Sequence, residues 1–263
     1  LFGSGLQKHL PRHSTGHTQL VECVGHGART AGDLHADQLA RHITRAAARR
    51  SHDLLVSFQQ LSDDWHTEYQ LSNRAEGIIL LGYGDYLTSR PRLQRLADSG
   101  AQFVIWGPVV AGMPGRYVCS DNAAGAEQAV RHLLQLGRRR IAYAGSATDH
   151  WPEFQLRHLG YVRAQREAGL EPDARLAVEA QSSEAEGQAA ALQLLDSGAP
   201  FDAVFAASDR IAIGVIAALR DRGRSVPGDV SVVGFDDIPR AVTALAERRT
   251  TGRPVVLVDP AGS

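Results

Sequence analysis

The chain has 263 residues, a length that fits two compact lobes better than one small core. Hydrophobic residues make up 43% of it and charged residues 22%, an ordinary globular balance that excludes a disordered, collagen-like or disulfide-scaffold chain. The formal net charge of −1 at pH 7 gives no electrostatic footprint for nucleic acid or an anionic membrane surface. The two cysteines, Cys23 and Cys119, suit a reducing compartment, and no apolar run approaches the roughly 20 residues of a membrane span. We therefore expect a cytoplasmic protein with no membrane contact.

Apolar runs alternate with amphipathic segments along most of the chain. In chain order, the pattern predicts a strand at 20–24, a helix at 35–49, strands at 54–58 and 77–82, a helix at 89–99, a strand at 103–106, a helix from 121 or 122 to 136, a strand at 141–145, a helix at 153–168, a strand at 176–180, a helix at 183–197, a strand at 203–207, a helix at 209–222 and a strand at 230–235. Strands that are apolar throughout are typical of parallel sheets covered by helices on both faces.

Repeated strand–helix–strand units of this kind predict an α/β fold with doubly wound parallel sheets. The number of strands and the break near Gly137 favour two such sheets, one in each lobe. We therefore expect an atypical N-terminal segment (1–32), a first lobe (33–138), a second lobe (139–240) and a C-terminal remnant (241–263) that returns to the first lobe.

Parallel sheets bind ligands beyond the carboxyl ends of their strands, and polar residues follow several of these strands. Ser208 with Asp209 and Asp236 with Asp237 come directly after apolar runs, and helix capping is the commoner role of such residues. Arg157, near the start of a predicted helix, is either a solvated surface arginine or a fork of donors directed at hydroxyl groups or a carboxylate. Trp106 and Trp151 could pack on sugar rings, although tryptophans more often lie in cores.

The motifs of several enzyme classes are not found in the sequence. It contains no phosphate-binding loop, no dinucleotide-binding glycine turn, no nucleophile elbow and no zinc-protease helix. The eleven histidines have no cysteine or carboxylate at ligand spacing. We therefore expect a protein that is not an enzyme, with no catalytic residues, no metal and no cofactor.

Several long segments resemble the effector-binding core of LacI/GalR-type transcriptional regulators. The most specific is Val226-Pro-Gly-Asp-Val-Ser-Val-Val-Gly-Phe-Asp-Asp-Ile-Pro239. Other segments resemble the sequences of this family and occur in the same order as in its members: 120–125, 129–137, 140–145, 157–161, 167–170 and 201–214. This resemblance implies two periplasmic-binding-protein-like lobes joined by crossing strands, with a small effector, usually a sugar, held between them.

The resemblance also implies ligand-binding roles for particular residues. By position, Arg157 matches the family's ligand-gripping arginine, Asp236 its ligand-binding aspartate, and Ser208 a position where many members carry an asparagine. Asp121 matches the first residue of an Asp-Asn pair, and Trp106 lies in a Trp-Gly-Pro segment found in members that respond to glucosides. Many members place an effector-stacking aromatic at the position of Ser182, so Trp151 is the expected substitute.

The function that follows is the sugar-binding and dimerisation core of a LacI-type repressor, with a mono- or disaccharide effector that controls lobe orientation. Members begin with a helix-turn-helix that the first thirty residues do not resemble, so we expect operator DNA to be contacted only through such an N-terminal domain. We expect a homodimer. The alternatives are a secreted sugar-binding protein of a transport system, a sugar-modifying enzyme, and a shortened chain that binds nothing because one strand position stays unpaired.

Overall fold

The computed structural model describes residues 17–22, 43–57, 77–81, 84–110 and 112–235. The first lobe contains a parallel sheet built from β1 (His17–Glu22), β2 (His52–Ser57), β3 (Gly77–Leu81), β4 (Phe103–Trp106) and β5 (Arg116–Val118). Its strand order is β2-β1-β3-β4-β5, and every pairing is parallel. Burial alternates along the central strands of this sheet, so that Ile78, Leu80, Phe103 and Ile105 are buried whereas Ile79, Leu81, Val104 and Trp106 are half-buried.

One helix of the first lobe, α1 (Tyr86–Asp98), follows β3 and connects it to β4. The side chain of Asp85 caps this helix by accepting a hydrogen bond from the amide of Thr88. The helix buries Leu93 and Leu96 in the first-lobe core against β3 and β4 residues such as Ile105. Residues 43–48 are also helical.

The second lobe contains a second parallel sheet with β6 (Ile141–Ala144), β7 (Ala177–Val178), β8 (Ala203–Ala206) and β9 (Ser231–Val233). Its strand order is β7-β6-β8-β9. The helices associated with it are α2 (Asn122–Gln135), α3 (Pro152–Glu167), α4 (Glu184–Asp196) and α5 (Asp209–Asp221). These elements confirm the prediction of an α/β fold with two parallel sheets.

The helix α2 belongs to the second lobe by its packing, which differs from the expected lobe boundary at residue 138. Its residues Ala126, Val130 and Leu133 are buried in the same core cluster as β6 and β8. A close approach makes this packing possible, because a Cβ atom on Gly160 of α3 would collide with the carbonyl oxygen of Ala123. The apolar stripe of α2 is thus covered by α3 and the second sheet, which the chain order alone does not reveal.

Two other details differ from the predicted elements. The sequence predicts no strand at β5, where only Tyr117 is half-buried between exposed neighbours. The strand expected at 176–180 is reduced to Ala177–Val178, because a 3₁₀ turn (Ala174–Leu176) capped by Asp173 occupies the residues before it. None of the helices in the described part of the chain is long and apolar enough to cross a membrane.

Candidate functional site

The strand order of each sheet defines where a ligand site can form. In the first sheet the order reverses between β1 and β3, and in the second sheet between β6 and β8. A crevice opens at such a reversal because the connections on its two sides leave in opposite directions, and ligands of parallel sheets bind there, at the carboxyl ends of the strands. In the second lobe these ends are Gly145–Ser146 and Ala207–Ser208.

Arg157 reaches this end of the second sheet from the helix α3. Its side chain is buried, with 9% exposed. The Nη1 atom donates to the carbonyl oxygen of Ala207, directly after β8, and more weakly to that of Phe235 at 3.5 Å. The Nε atom donates to Oδ1 of Asn122 at 2.8 Å. The guanidinium therefore connects α2, α3 and the ends of β8 and β9 at one point.

Aromatic rings surround the same guanidinium. Its central carbon lies 3.9 Å from the centroid of the Phe235 ring and 5.3 Å from that of Phe154. A guanidinium over an aromatic face is attracted by the negative face of the ring, and more strongly when water is excluded. The rings and hydrogen bonds together fix the direction of the Arg157 side chain, which is the main requirement for a group that recognises a ligand.

Tyr143 at the carboxyl half of β6 supports the helix that carries Arg157. The Tyr143 hydroxyl donates to the carbonyl oxygen of Phe154 at 2.9 Å, one turn before Arg157. Burial raises the pKa of the Tyr143 phenol far above its ordinary value, so the hydroxyl keeps its proton and remains a donor. Gly145 permits this arrangement, because a Cβ atom there would collide with the Cβ of Ala207 and with the Tyr143 hydroxyl.

Serine hydroxyls lie at the same end of the second sheet. Ser208 is 2% exposed and caps α5, where its Oγ accepts from the amide of Ile211 at 3.3 Å. The Ser182 hydroxyl donates to the Ser208 hydroxyl oxygen at 3.1 Å. Ser146, two residues after β6, is fully buried and shares a hydrogen bond of 3.0 Å with the hydroxyl of Thr148. These groups can both donate and accept, as a polyhydroxylated ligand requires.

The remaining residues that the sequence singled out have different surroundings. Trp106 ends β4 in the first lobe and is partly exposed. Trp151 directly precedes α3 as its N-cap residue, with its ring 6.5 Å from that of Phe154. Asp121 is exposed and caps α2 by accepting from the amide of Ala124 at 3.0 Å. Asp236 lies outside the described residues, which end at Phe235.

Two of the residues that shape the site were not given a firm role by the sequence. Asn122 is buried and binds Arg157, whereas its neighbour Asp121 does the capping. In the sequence, only the Asp121-Asn122 pair points to this position, and the pair does not show which of the two side chains faces inward. Tyr143 carried no signal, because an aromatic residue within an apolar strand is typical of any core.

Comparisons with known proteins identify the family of this chain. Residues 130–252 match the family model described as a periplasmic binding protein-like domain. A solved LacI-family regulator from Sanguibacter keddieii is 30% identical, and the superposition covers 89% of this chain and 79% of that one with a TM-score of 0.70. The chain belongs to the LacI/GalR family. The segments that match correspond to the effector-binding core of such regulators.

Two further comparisons involve regulators named CelR. The regulator CelR of Thermobifida fusca is 34% identical over 72% of this chain and 55% of its own length. A solved complex of a transcriptional regulator CelR with cellobiose is 28% identical, covers 88% of this chain and 71% of that chain, and has a TM-score of 0.74. The chain spans between 39% and 66% of the length of the first curated relatives that it matches. All of these relatives are transcriptional regulators by name.

Proposed function

We propose that this chain is the effector-binding core of a LacI-type transcriptional repressor and that its effector is an uncharged mono- or disaccharide. The observation that carries the proposal is the fixed position of Arg157 at the β6/β8 reversal, held by Asn122 and the carbonyl oxygen of Ala207. A planar guanidinium held in one direction can donate to neighbouring hydroxyl groups of a sugar ring.

The chemistry around Arg157 favours a neutral ligand. The polar side chains described at the second-lobe strand ends include the hydroxyls of Ser146, Ser182 and Ser208 and the buried carboxylate of Asp209, whose charge is opposite to that of Arg157. Asp236 follows Phe235, whose ring lies against the guanidinium, so we propose that its carboxylate accepts from sugar hydroxyls beside Arg157. Trp151 in the second lobe and Trp106 in the first are the proposed surfaces for the apolar faces of sugar rings. The resemblance to a regulator solved with cellobiose supports this class of ligand.

The proposed mechanism is a shift in lobe orientation. A saccharide that contacts both lobes stabilises the orientation in which both sets of contacts form, and it can do so only by its difference in affinity for the two orientations. In a dimeric regulator, the first lobes transmit that difference to the segments that read operator half-sites. We propose that Asp121, at the start of the helix that follows the first-lobe strand β5, contributes to the ligand site from this junction.

We propose that the core forms a homodimer. Large apolar side chains on the described part of the first lobe are exposed: Leu55 by 39%, Leu87 by 44%, Val109 by 58% and Val118 by 51%. Burying such side chains against a second copy would gain about 25 cal/mol per Å² of apolar area. Sedimentation velocity should show a species of twice the chain's 28.3 kDa mass. A monomer at all concentrations would contradict the dimer and leave the ligand proposal unaffected.

A thermal-shift screen tests the ligand proposal. The panel contains neutral saccharides, cellobiose among them, with gluconate and glucose 6-phosphate as charged comparators. A neutral saccharide at 100 times its dissociation constant should add about 2.7 kcal/mol to the free energy of unfolding. Arg157→Lys keeps the charge and loses the planar fork, so it should weaken the shift, whereas Arg163→Lys on the exposed side of α3 should not. No shift with any neutral saccharide would overturn the proposal.

A further inference from the structure

A direct contact between the two lobes involves Asp85 and His150. The Nδ1 atom of His150 lies 2.7 Å from Oδ2 of Asp85. Beside this pair, the backbone amide of Tyr86 donates to the carbonyl oxygen of His150 at 3.0 Å. Asp85 and Tyr86 begin the first-lobe helix α1, and His150 precedes the second-lobe helix α3 by two residues. One residue of the second lobe is thus bound by both a side chain and a backbone group of the first.

The first-lobe side of this contact is held firmly. The other carboxylate oxygen of Asp85, Oδ1, accepts from the amide of Thr88 at 3.0 Å and thereby caps α1. The next residue, Tyr86, is 5% exposed and belongs to the first-lobe core. Asp85 therefore cannot follow His150 if the lobes separate, because its position is fixed by the helix that it caps.

The second-lobe side is also held firmly. The amide of Trp151 donates to the carbonyl oxygen of Thr148 at 3.1 Å, which closes a turn around His150. The side-chain amide of Gln155 donates to Oδ1 of Asp149 at 2.9 Å and fastens this turn to the first part of α3. A rotation of the second lobe would therefore move His150 together with α3, the helix that also carries Arg157.

The two partners lie near the strands that form the ligand crevices. Asp85 comes four residues after the end of β3, and His150 comes six residues after the end of β6. β3 and β6 each border the reversal of strand order in their own sheet. We propose that Asp85 and His150 form an interlobe clasp that stabilises the described orientation of the lobes and so sets the affinity of the ligand site. The effect on affinity rests on the proposed function, whereas the clasp itself can be tested without a ligand.

The exposure of the clasp indicates that its effect is moderate and reversible. The side chain of His150 is 50% exposed and that of Asp85 is 24% exposed. Pairs of this exposure change an equilibrium by a factor of about 1.5 to 5. A bias of this size can favour one orientation and still be reversed when a ligand binds.

A distance measurement between the lobes tests the clasp. Single-molecule energy transfer between dyes on Gln94→Cys of α1 and Gln193→Cys of α4, with Cys23 and Cys119 replaced by serine, reports the orientation in solution. Asp85→Ser keeps a capping hydroxyl and removes the carboxylate, and His150→Ala removes the imidazole. Each variant should lower the ratio of the described orientation to more separated ones by about 1.5- to 5-fold.

The double variant and a loop control decide whether the two side chains act through each other. Asp85→Ser with His150→Ala should change the distance distribution no more than one substitution alone, because the second removes a contact already lost. Glu171→Ala removes an exposed loop carboxylate at the other end of α3, where it pairs with Arg166 at 3.5 Å, and should leave the distribution unchanged. Unchanged distances in both single variants, or additive changes in the double variant, would overturn the clasp.

Cellobiose titrations of the same proteins then separate the clasp from the proposed function. If cellobiose binds the unaltered chain, the two single variants should change its dissociation constant by the factor by which they change the fraction of molecules in the binding orientation. If cellobiose does not bind, this counts against the ligand proposal, and the distances alone decide the clasp.

Discussion

The guanidinium carbon of Arg157 lies 3.9 Å from the centroid of the Phe235 ring. This contact joins the first half of α3 to the carboxyl end of β9, the strand that is followed by Asp236. With the hydrogen bonds to Asn122 and Ala207, it makes Arg157 both a structural connection and the proposed ligand donor. Substitutions at this position therefore need a readout of stability as well as one of binding.

Arg157→Ala should lower the free energy of unfolding by about 2–3 kcal/mol, because it leaves buried acceptors without their charged donor. Arg163→Ala is a matched control on the same helix. The Arg163 side chain is 55% exposed and lies 3.7 Å from Glu127, so its loss should cost about 0–1 kcal/mol. Urea denaturation measures both values, and equal losses would contradict the structural role of Arg157.

Ser208→Ala should weaken saccharide binding and also lower stability by about 1 kcal/mol through the loss of a helix cap. Ser183→Ala provides the control, since Ser183 caps α4 by accepting from the amide of Glu186 at 3.2 Å. The two variants should have similar melting temperatures, but only Ser208→Ala should raise the dissociation constant measured by calorimetry. Equal dissociation constants would remove Ser208 from the proposed site.

Gly187→Ala should destabilise the second lobe by about 1–3 kcal/mol, because overpacking forces neighbouring backbone to move. A Cβ atom at this position would collide with the carbonyl oxygen of Ile211, so α4 and α5 approach each other across this glycine. Gln188→Ala is the control, because that side chain is exposed on the same helix. Thermal unfolding followed by circular dichroism should show a lower midpoint for Gly187→Ala alone.

Asp202→Ala should cost about 1–2 kcal/mol of stability. Its carboxylate accepts from the backbone amides of Arg139 at 3.1 Å and Arg140 at 3.0 Å and so joins the starts of β6 and β8. Asp196→Ala removes a carboxylate that is 70% exposed and pairs with Arg222 at 3.7 Å. The urea midpoint should fall for Asp202→Ala and stay within error of the unaltered chain for Asp196→Ala.

The stability of the second lobe should fall as the pH is lowered from 7 to 5, partly because of His158. Burial among aromatic rings, including an edge contact with Tyr143 at 4.8 Å, lowers the pKa of His158 below its ordinary value of 6.5. Below that value the unfolded chain binds a proton that the folded chain resists, so protonation favours unfolding. His158→Phe keeps an aromatic ring and should flatten the pH dependence of the urea midpoint. The difference in urea midpoint between the variant and the unaltered chain at pH 8 is first subtracted. If the midpoint of the variant then falls as steeply between pH 7 and 5 as that of the unaltered chain, this role of His158 is contradicted.

Much of the secondary structure could be predicted from the sequence, because its causes are local. The strand Phe103–Trp106 has the predicted bounds, and the helices closed by Gly137, Gly169, Gly198 and Gly223 end close to where those glycines indicate. Each of these glycines has a positive φ, the conformation that ends a helix at little steric cost. The sequence motifs at 201–239 also predicted the family, and the similarity to known regulators confirms that prediction.

The sequence by itself determined the secondary-structure elements, the parallel sheets and the family. Hydrophobic periodicity, helix caps and sequence motifs are all properties of residues that are neighbours along the chain. Only the tertiary structure decided that α2 packs in the second lobe, that Asn122 rather than Asp121 binds Arg157, and that Asp85 contacts His150. The paired residues in these contacts are 35 and 65 positions apart along the chain. Whether residues so far apart along the chain lie close in space depends on how helices and sheets pack together. Sequence patterns reflect only neighbouring residues, so they cannot predict such contacts.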